Sequence, residues 1–152
     1  MSAQTNQLEI LKTCLERFSN KEINQAATCL DDNATWKYTT APYRREKYEG
    51  GFDEIEAQVN KEAAGCDLRK EQLVATWKKY ADECSFSIRD IEQNKGATTC
   101  RVIFDLINRD GSEAHQEVHL VAEVDEKRRK IVRVIDFVGK ERYEQIKRCA
   151  SS

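Results

Sequence analysis

The chain has 152 residues, a length that suits one domain with a buried core. Charged residues make up 34% of it but nearly cancel, with 25 Lys and Arg against 27 Asp and Glu. That balance excludes a strongly basic nucleic-acid binder and leaves too little self-repulsion to hold the chain expanded. No apolar run approaches the roughly 20 residues a bilayer-spanning helix needs, and the first residues lack the apolar centre of an export signal. A single globular domain over residues 1–152 is expected, cytoplasmic and away from membranes.

The six cysteines, Cys14, Cys29, Cys66, Cys84, Cys100 and Cys149, are scattered, with no CxxC pair and no close histidine. Zinc sites bring their ligands in close pairs, and disulfide frameworks belong to small secreted domains. Reduced thiols packed as small hydrophobes are therefore expected.

In chain order, Leu8, Leu11, Leu15 and Phe18 recur at helical spacing, with Cys14 beside them, and predict a helix over 5–18. Ser19 and Asn20 interrupt it. A short helix follows over 21–30, with Ile23, Ala26, Ala27 and Leu30 as its apolar residues. Asp31, Asp32 and Asn33 predict a turn, because short polar side chains bond to nearby backbone. A strand over 34–38 comes next, then a loop over 39–51 around Pro42 with a short strand at 44–48. Phe52, Ile55, Val59 and Ala63 predict a third helix, with Asp53 and Glu54 suiting the dipole of its first turn and Gly65 ending or bending it. From Leu68 onward, Leu73, Trp77 and Tyr80 fit a helix, although residues 73–77 also read as a strand.

Beyond residue 82 the period falls to two. Strands are predicted over 84–92, 97–108, 114–125 and 131–138, joined by turns at 94–96 and 108–111 and a charged connection at 125–130. Both faces of 97–108 are half apolar, which predicts a strand covered on both sides. A tail helix over 139–149 closes the chain. The expected architecture is α+β, with N-terminal helices packed on a curved antiparallel sheet.

Three segments carry a resemblance. FSNKEINQAATCLDDNATWKY leads from a first amphipathic helix through a short helix into a strand; YEGGFDEI enters the third helix; KIVRVIDF forms the closing strand. Over roughly residues 7–138 this order resembles the nuclear-transport-factor-2-like (SnoaL-like) superfamily. The resemblance implies a cone-shaped half-barrel with three helices along one side of the sheet. It also implies a choice among ketosteroid isomerases, cyclases, dehydratases, epoxide hydrolases and non-catalytic binding modules, since fold alone does not decide function. The isomerase members place a Tyr donor on the first helix and a carboxylate base at the end of the first strand. Those positions are Cys14 and Tyr38 here. Neither supplies what proton abstraction beside a carbonyl requires, so steroid-isomerase chemistry is not expected.

Several residues remain as candidates for chemistry. His115, Glu117 and His119 share one strand face, but the two imidazoles lie about 13 Å apart along a strand, too far for one ion. No metal site is expected. Asp136 interrupts the apolar run Ile131–Phe137, and Asp105 stands between Phe104 and Leu106. Each is either paired or set at a pocket with a raised pKa. Trp36, Tyr38, Trp77, Tyr80 and Phe104 are the aromatic residues expected to line a cavity, or otherwise to fill the core. The basic loop at Tyr43, Arg44, Arg45 and Lys47, and the cluster Lys127–Lys130, have acidic neighbours and predict solvated turns. No phosphate-loop, dinucleotide or nucleophile-elbow pattern is present, so no cofactor is expected.

The first reading is a non-enzymatic ligand-binding or dimerisation module. It would pair as a homodimer through an outer sheet face holding Ile103, Ile107, Val121 and Ile135, and take a small apolar ligand. An isomerase, cyclase or dehydratase is the alternative, with Asp136 or Asp105 as acid/base and Tyr38 as donor. A protein-interaction adaptor is the third reading.

Overall fold

The computed structural model describes residues 3–44, 50–93 and 99–151; the strand expected at 44–48 and the turn at 94–96 fall almost wholly outside them. The helices are α1 (Ala3–Ser19), α2 (Ile23–Ala27), α3 (Phe52–Glu62), α4 (Lys70–Glu83) and α5 (Lys140–Ser151). The strands are β1 (Leu30–Thr39), β2 (Gly65–Arg69), β3 (Cys84–Gln93), β4 (Thr99–Asn108), β5 (Glu113–Asp125) and β6 (Lys130–Phe137). They form one open sheet in the order β2-β1-β6-β5-β4-β3.

The α+β half-barrel expected from the sequence is present, with the sheet mixed rather than wholly antiparallel. β1 and β6 run parallel, with Tyr38 opposite Asp136, while every other neighbouring pair is antiparallel. The long passage from β1 through the rest of the chain acts as the crossover that a parallel pair needs. The polar triplet Asp31–Asn33 does bond locally, Asn33 N–H donating to Asp31 Oδ2 at 3.0 Å, but it makes a bulge inside β1 rather than a turn before it. Residues 68–80 resolve into two elements. The edge strand β2 is too short to show alternation, and α4 takes up the helical pattern of Leu73, Trp77 and Tyr80.

The tight β4–β5 connection agrees with expectation. Asn108 N–H donates to Ser112 O at 2.9 Å, and Gly111 adopts φ +86°, a conformation without steric cost only for glycine.

The two sheet faces are covered differently. On the inner face, α1, α2, α4 and α5 bury Trp36, Tyr38, Val102, Phe104, Leu106, Val118, Leu120 and Val134 in the main core. On the outer face, α3 lays Phe52, Ile55 and Val59 over Val121, Ile135 and Phe137 as a separate small core. This corrects two expectations. Helix α3 lies opposite the other helices, and Val121 and Ile135 are fully enclosed within the chain, leaving Ile103 and Ile107 of the four residues expected to form a dimer face. Nor is β4 covered on both sides: its outer residues Asp105 and Ile107 remain open to solvent, Ile107 at 44% exposure.

Candidate functional site

Strand alternation puts Trp36 and Tyr38 of β1 on the inner face, next to Asp136 of β6. Asp136 is 3% exposed. Trp36 Nε1–H donates to Asp136 Oδ2 at 3.2 Å, and Trp77 Nε1–H donates to Tyr38 Oη at 3.1 Å. Arg142, one turn into α5, donates from Nε to Tyr80 Oη at 3.3 Å and sits 4.9 Å from the centre of the Phe104 ring. A planar cation over an aromatic face gains about 0.5–2 kcal/mol when partly desolvated.

The aromatic rings pack as a connected group. Phe18 stacks on Trp77 at 4.5 Å, Trp36 meets Trp77 edge-on at 5.4 Å, and Phe86 bridges Phe18 at 5.0 Å and Phe104 at 5.5 Å. Such pairs contribute about 0.5–1.5 kcal/mol each beyond area burial. They hold the hydrogen-bonding groups of the site in one geometry.

Between these groups lies a pocket lined by Leu15 and Phe18 of α1, the inner-face strand residues, Asp136 and Arg142. It encloses about 380 Å³ of atom-free space counting its open mouth, but the part wide enough for the centre of a water is only about 20 Å³, about one water's worth. Two polar atoms at this site, Asp136 Oδ1 and Arg142 Nη1, are buried without a hydrogen-bond partner. Each such atom carries a desolvation cost of about 1–3 kcal/mol, more when charged.

The electrostatics follow from that burial. Desolvation pushes the Asp136 carboxyl above the usual carboxylate range, against the opposing pull of the Arg142 charge and the Trp36 hydrogen bond. Burial likewise raises the Tyr38 phenol, helped by the Asp136 charge, and pushes Tyr80 up to about 12. For Arg142, burial works against the charge, but Tyr80, Asp136 and Tyr38 outweigh it and the guanidinium stays cationic. When protonated, the carboxyl could donate alongside the guanidinium to one oxygen placed between them.

The structure thus brings together Asp136, Trp36, Tyr38 and Phe104 at the pocket, with Trp77 and Tyr80 directly behind them. Asp105 lies elsewhere. It is on the outer face, half-exposed, with His115 Nδ1 at 2.9 Å and Arg89 Nε at 3.5 Å. His119 shares that face, 3.6 Å from Glu117, yet is half-buried beneath the Tyr43 ring, which stacks on it at 4.1 Å. Among the described residues, no group of three or more His, Cys, Asp or Glu is arranged to hold a metal ion. In the Lys127–Lys130 turn, Arg128 pairs with Asp31 at 2.7 Å and Asp125 at 2.8 Å. Sequence reasoning missed Arg142, which sits among the mixed charges of an amphipathic tail helix.

No protein-family model and no curated protein matches the sequence. Solved structures do resemble the fold. A candidate polyketide cyclase from Xanthomonas campestris pv. campestris superposes with a TM-score of 0.63 at 11% identity, covering 95% of this chain and 99% of that one. An LEH-like epoxide hydrolase of M. tuberculosis gives 0.55 at 14% identity, covering 97% and 89%. A nuclear-transport-factor-2-like protein of unknown function from Cytophaga hutchinsonii gives 0.50 at 8% identity, covering 86% and 87%. At such low identities the likeness speaks for architecture, and the architecture of this chain is the nuclear-transport-factor-2-like, SnoaL-like fold.

Proposed function

We propose that the protein binds a small, mostly apolar molecule carrying one acceptor oxygen, with that oxygen held between Asp136 and Arg142. The observation that carries this reading is the pair of buried, unpartnered polar atoms, Asp136 Oδ1 and Arg142 Nη1, at one otherwise apolar pocket. An oxygen of a carbonyl, ether or epoxide would accept from Arg142 Nη1 and, with the carboxyl protonated, from Asp136, while Phe86, Ile88, Val102 and Val118 would take the hydrocarbon body. Without a ligand, a single water suits the same gap. The cavity has room for about one water, so a compact molecule would enter only as Phe86, Ile88 and the neighbouring side chains move apart.

The test uses cyclohexanone and methylcyclohexane as probes of similar size, followed by perturbation of amide NMR signals. The ketone should perturb residues of β1, β6 and α5 far more strongly than the hydrocarbon, and Arg142→Leu should remove the difference. Equal responses to both probes would contradict the reading.

A second reading, acid/base catalysis at the same site, is favoured by the raised Asp136 carboxyl and by Tyr38, which line one pocket. A carboxyl raised by burial is better suited than an ordinary one to protonate a developing alkoxide or enolate. Turnover of a bound ketone or epoxide, lost in Asp136→Asn while binding persists, would separate catalysis from binding alone.

A further inference from the structure

Helix α1 ends at Ser19, and Lys21, with φ +64°, turns the chain back so that α2 lies along α1. This corner brings Cys14 and Cys29 together. Cys14 Sγ lies 3.5 Å from Ala26 O, and the backbone N–H of Cys29 donates to that same carbonyl at 3.1 Å. One carbonyl thus accepts from both Cys14 and Cys29, which sets the two residues side by side. Arg17, one turn beyond Cys14, reaches over the pair. Its Nη1 donates to Cys29 Sγ at 3.5 Å, to Thr28 Oγ1 at 3.2 Å and to Gln25 O at 3.2 Å.

The surroundings separate the two sulfurs. The hydrogen bond from Cys14 and the charge and hydrogen bond of Arg17 pull the Cys29 thiol down, against its desolvation. Cys14, fully enclosed and donating, is pushed up. One thiol therefore favours the thiolate while its neighbour keeps its proton. The other described cysteines lack this arrangement. Cys149 Sγ is 2.9 Å from the Glu83 carboxylate, which opposes a thiolate, and burial raises both Cys84 and the half-buried Cys66.

We propose that Cys29 is a peroxide-reactive thiol and Cys14 its resolving partner, closing a Cys14–Cys29 disulfide that bolts α1 to the entry of β1. In the first step the Cys29 thiolate attacks a hydroperoxide. An S–O bond forms, the O–O bond breaks, and an alcohol or water leaves with the proton, giving a sulfenic acid. In the second step Cys14 sulfur attacks the sulfenic sulfur, expels its oxygen as water with the Cys14 proton, and closes the disulfide. Two thiols and one hydroperoxide become one disulfide, one alcohol or water, and one water; an external dithiol reverses the change. The backbone of Cys29 is already fixed, its carbonyl accepting from Ile131 N–H of β6 at 2.7 Å, so the bond would tie α1 to the sheet.

The experiment treats the intact protein with limiting hydrogen peroxide and maps its peptides by mass spectrometry without reduction. The expected result is a linked Cys14–Cys29 peptide that appears before Cys66 is oxidised and disappears with dithiothreitol. Neutral-pH alkylation by iodoacetamide should label Cys29 about tenfold faster than Cys66, although Cys66 is the more exposed. In Cys14→Ser, dimedone should capture a sulfenic acid at Cys29; in Cys29→Ser, no adduct should form at Cys14. The wild-type map needs no substitution and stands if either variant fails to fold. Oxidation first at Cys66, Cys84 or Cys149, or no linked peptide, would overturn the proposal.

Discussion

The two faces of the sheet solve opposite problems with neighbouring residues. Along β6, Val134 and Asp136 point to the inner face, while Arg133, Ile135 and Phe137 point outward. The inner carboxyl is enclosed, bonded once by Trp36, and left with one oxygen unpartnered. The outer guanidinium of Arg133 is fully engaged. It bonds Glu123 at 2.6 Å and Asp53 at 2.7 Å, and lies 4.2 Å over the Phe52 ring. Outer-face charges pair in cross-strand ladders, Glu92–Arg101–Glu117 and Arg89–Asp105–His115, with Arg101 Nε and His119 Nδ1, among the described residues, the two buried atoms there that lack a partner. An ionisable group in contact with water needs no ligand. One enclosed without a partner makes a place for one.

That contrast can be broken by substitution, and the largest effect is expected in the inner aromatic group. Trp77→Ala should cost about 3–5 kcal/mol in chemical denaturation, because it removes a fully buried ring and the donor to Tyr38. A loss below about 1 kcal/mol would show that the inner core does not depend on this packing. On the outer face, Ile135→Ala should cost about 2–3 kcal/mol by opening a cavity beneath α3. Its effect should appear first as faster amide exchange in α3, with the inner face protected.

Charge substitutions sharpen the comparison. Arg133→Ala should cost about 1–2 kcal/mol, since partly exposed ion pairs are weak and the stacking on Phe52 adds to them. Asp105→Asn should change stability by less than about 0.5 kcal/mol and leave any ligand response intact, because its partners are at the surface. Asp136→Asn should act on pH dependence. A carboxyl raised on folding binds its proton more tightly in the native state. Its favourable share of stability is therefore full below the ordinary carboxylate pKa of about 4 and declines as pH rises towards the native value. Because Asp31, Asp110 and Asp125 are lowered and act in the opposite sense, the test is the difference: the wild-type urea midpoint should fall relative to that of Asp136→Asn as pH rises across that range.

Asp136 was legible in the sequence because a carboxylate inside Ile131–Phe137 breaks an apolar run. Asp105 gave the same local signal. What separates them is face: Asp105 shares its side of β4 with Arg101, Ile103 and Ile107, and only tertiary placement shows that this side lacks a helix. Helix α3 read correctly as amphipathic, but which sheet face it covers is not a property of its own residues. The parallel β1–β6 pair joins Tyr38 to Asp136 across most of the chain and leaves no trace in local periodicity. Arg142 acquires its role only when α5 folds back over Phe104 and Tyr80.

The central claim is that burial in the inner pocket raises the Asp136 carboxyl and leaves one of its oxygens free for a ligand. Titration of ¹³C-labelled aspartate carboxyls by NMR tests it directly. One resonance, absent in Asp136→Asn, should titrate above the ordinary aspartate value and shift when cyclohexanone is added. If every aspartate titrates in the ordinary range and none responds to the ketone, the inner pocket is not the binding site described.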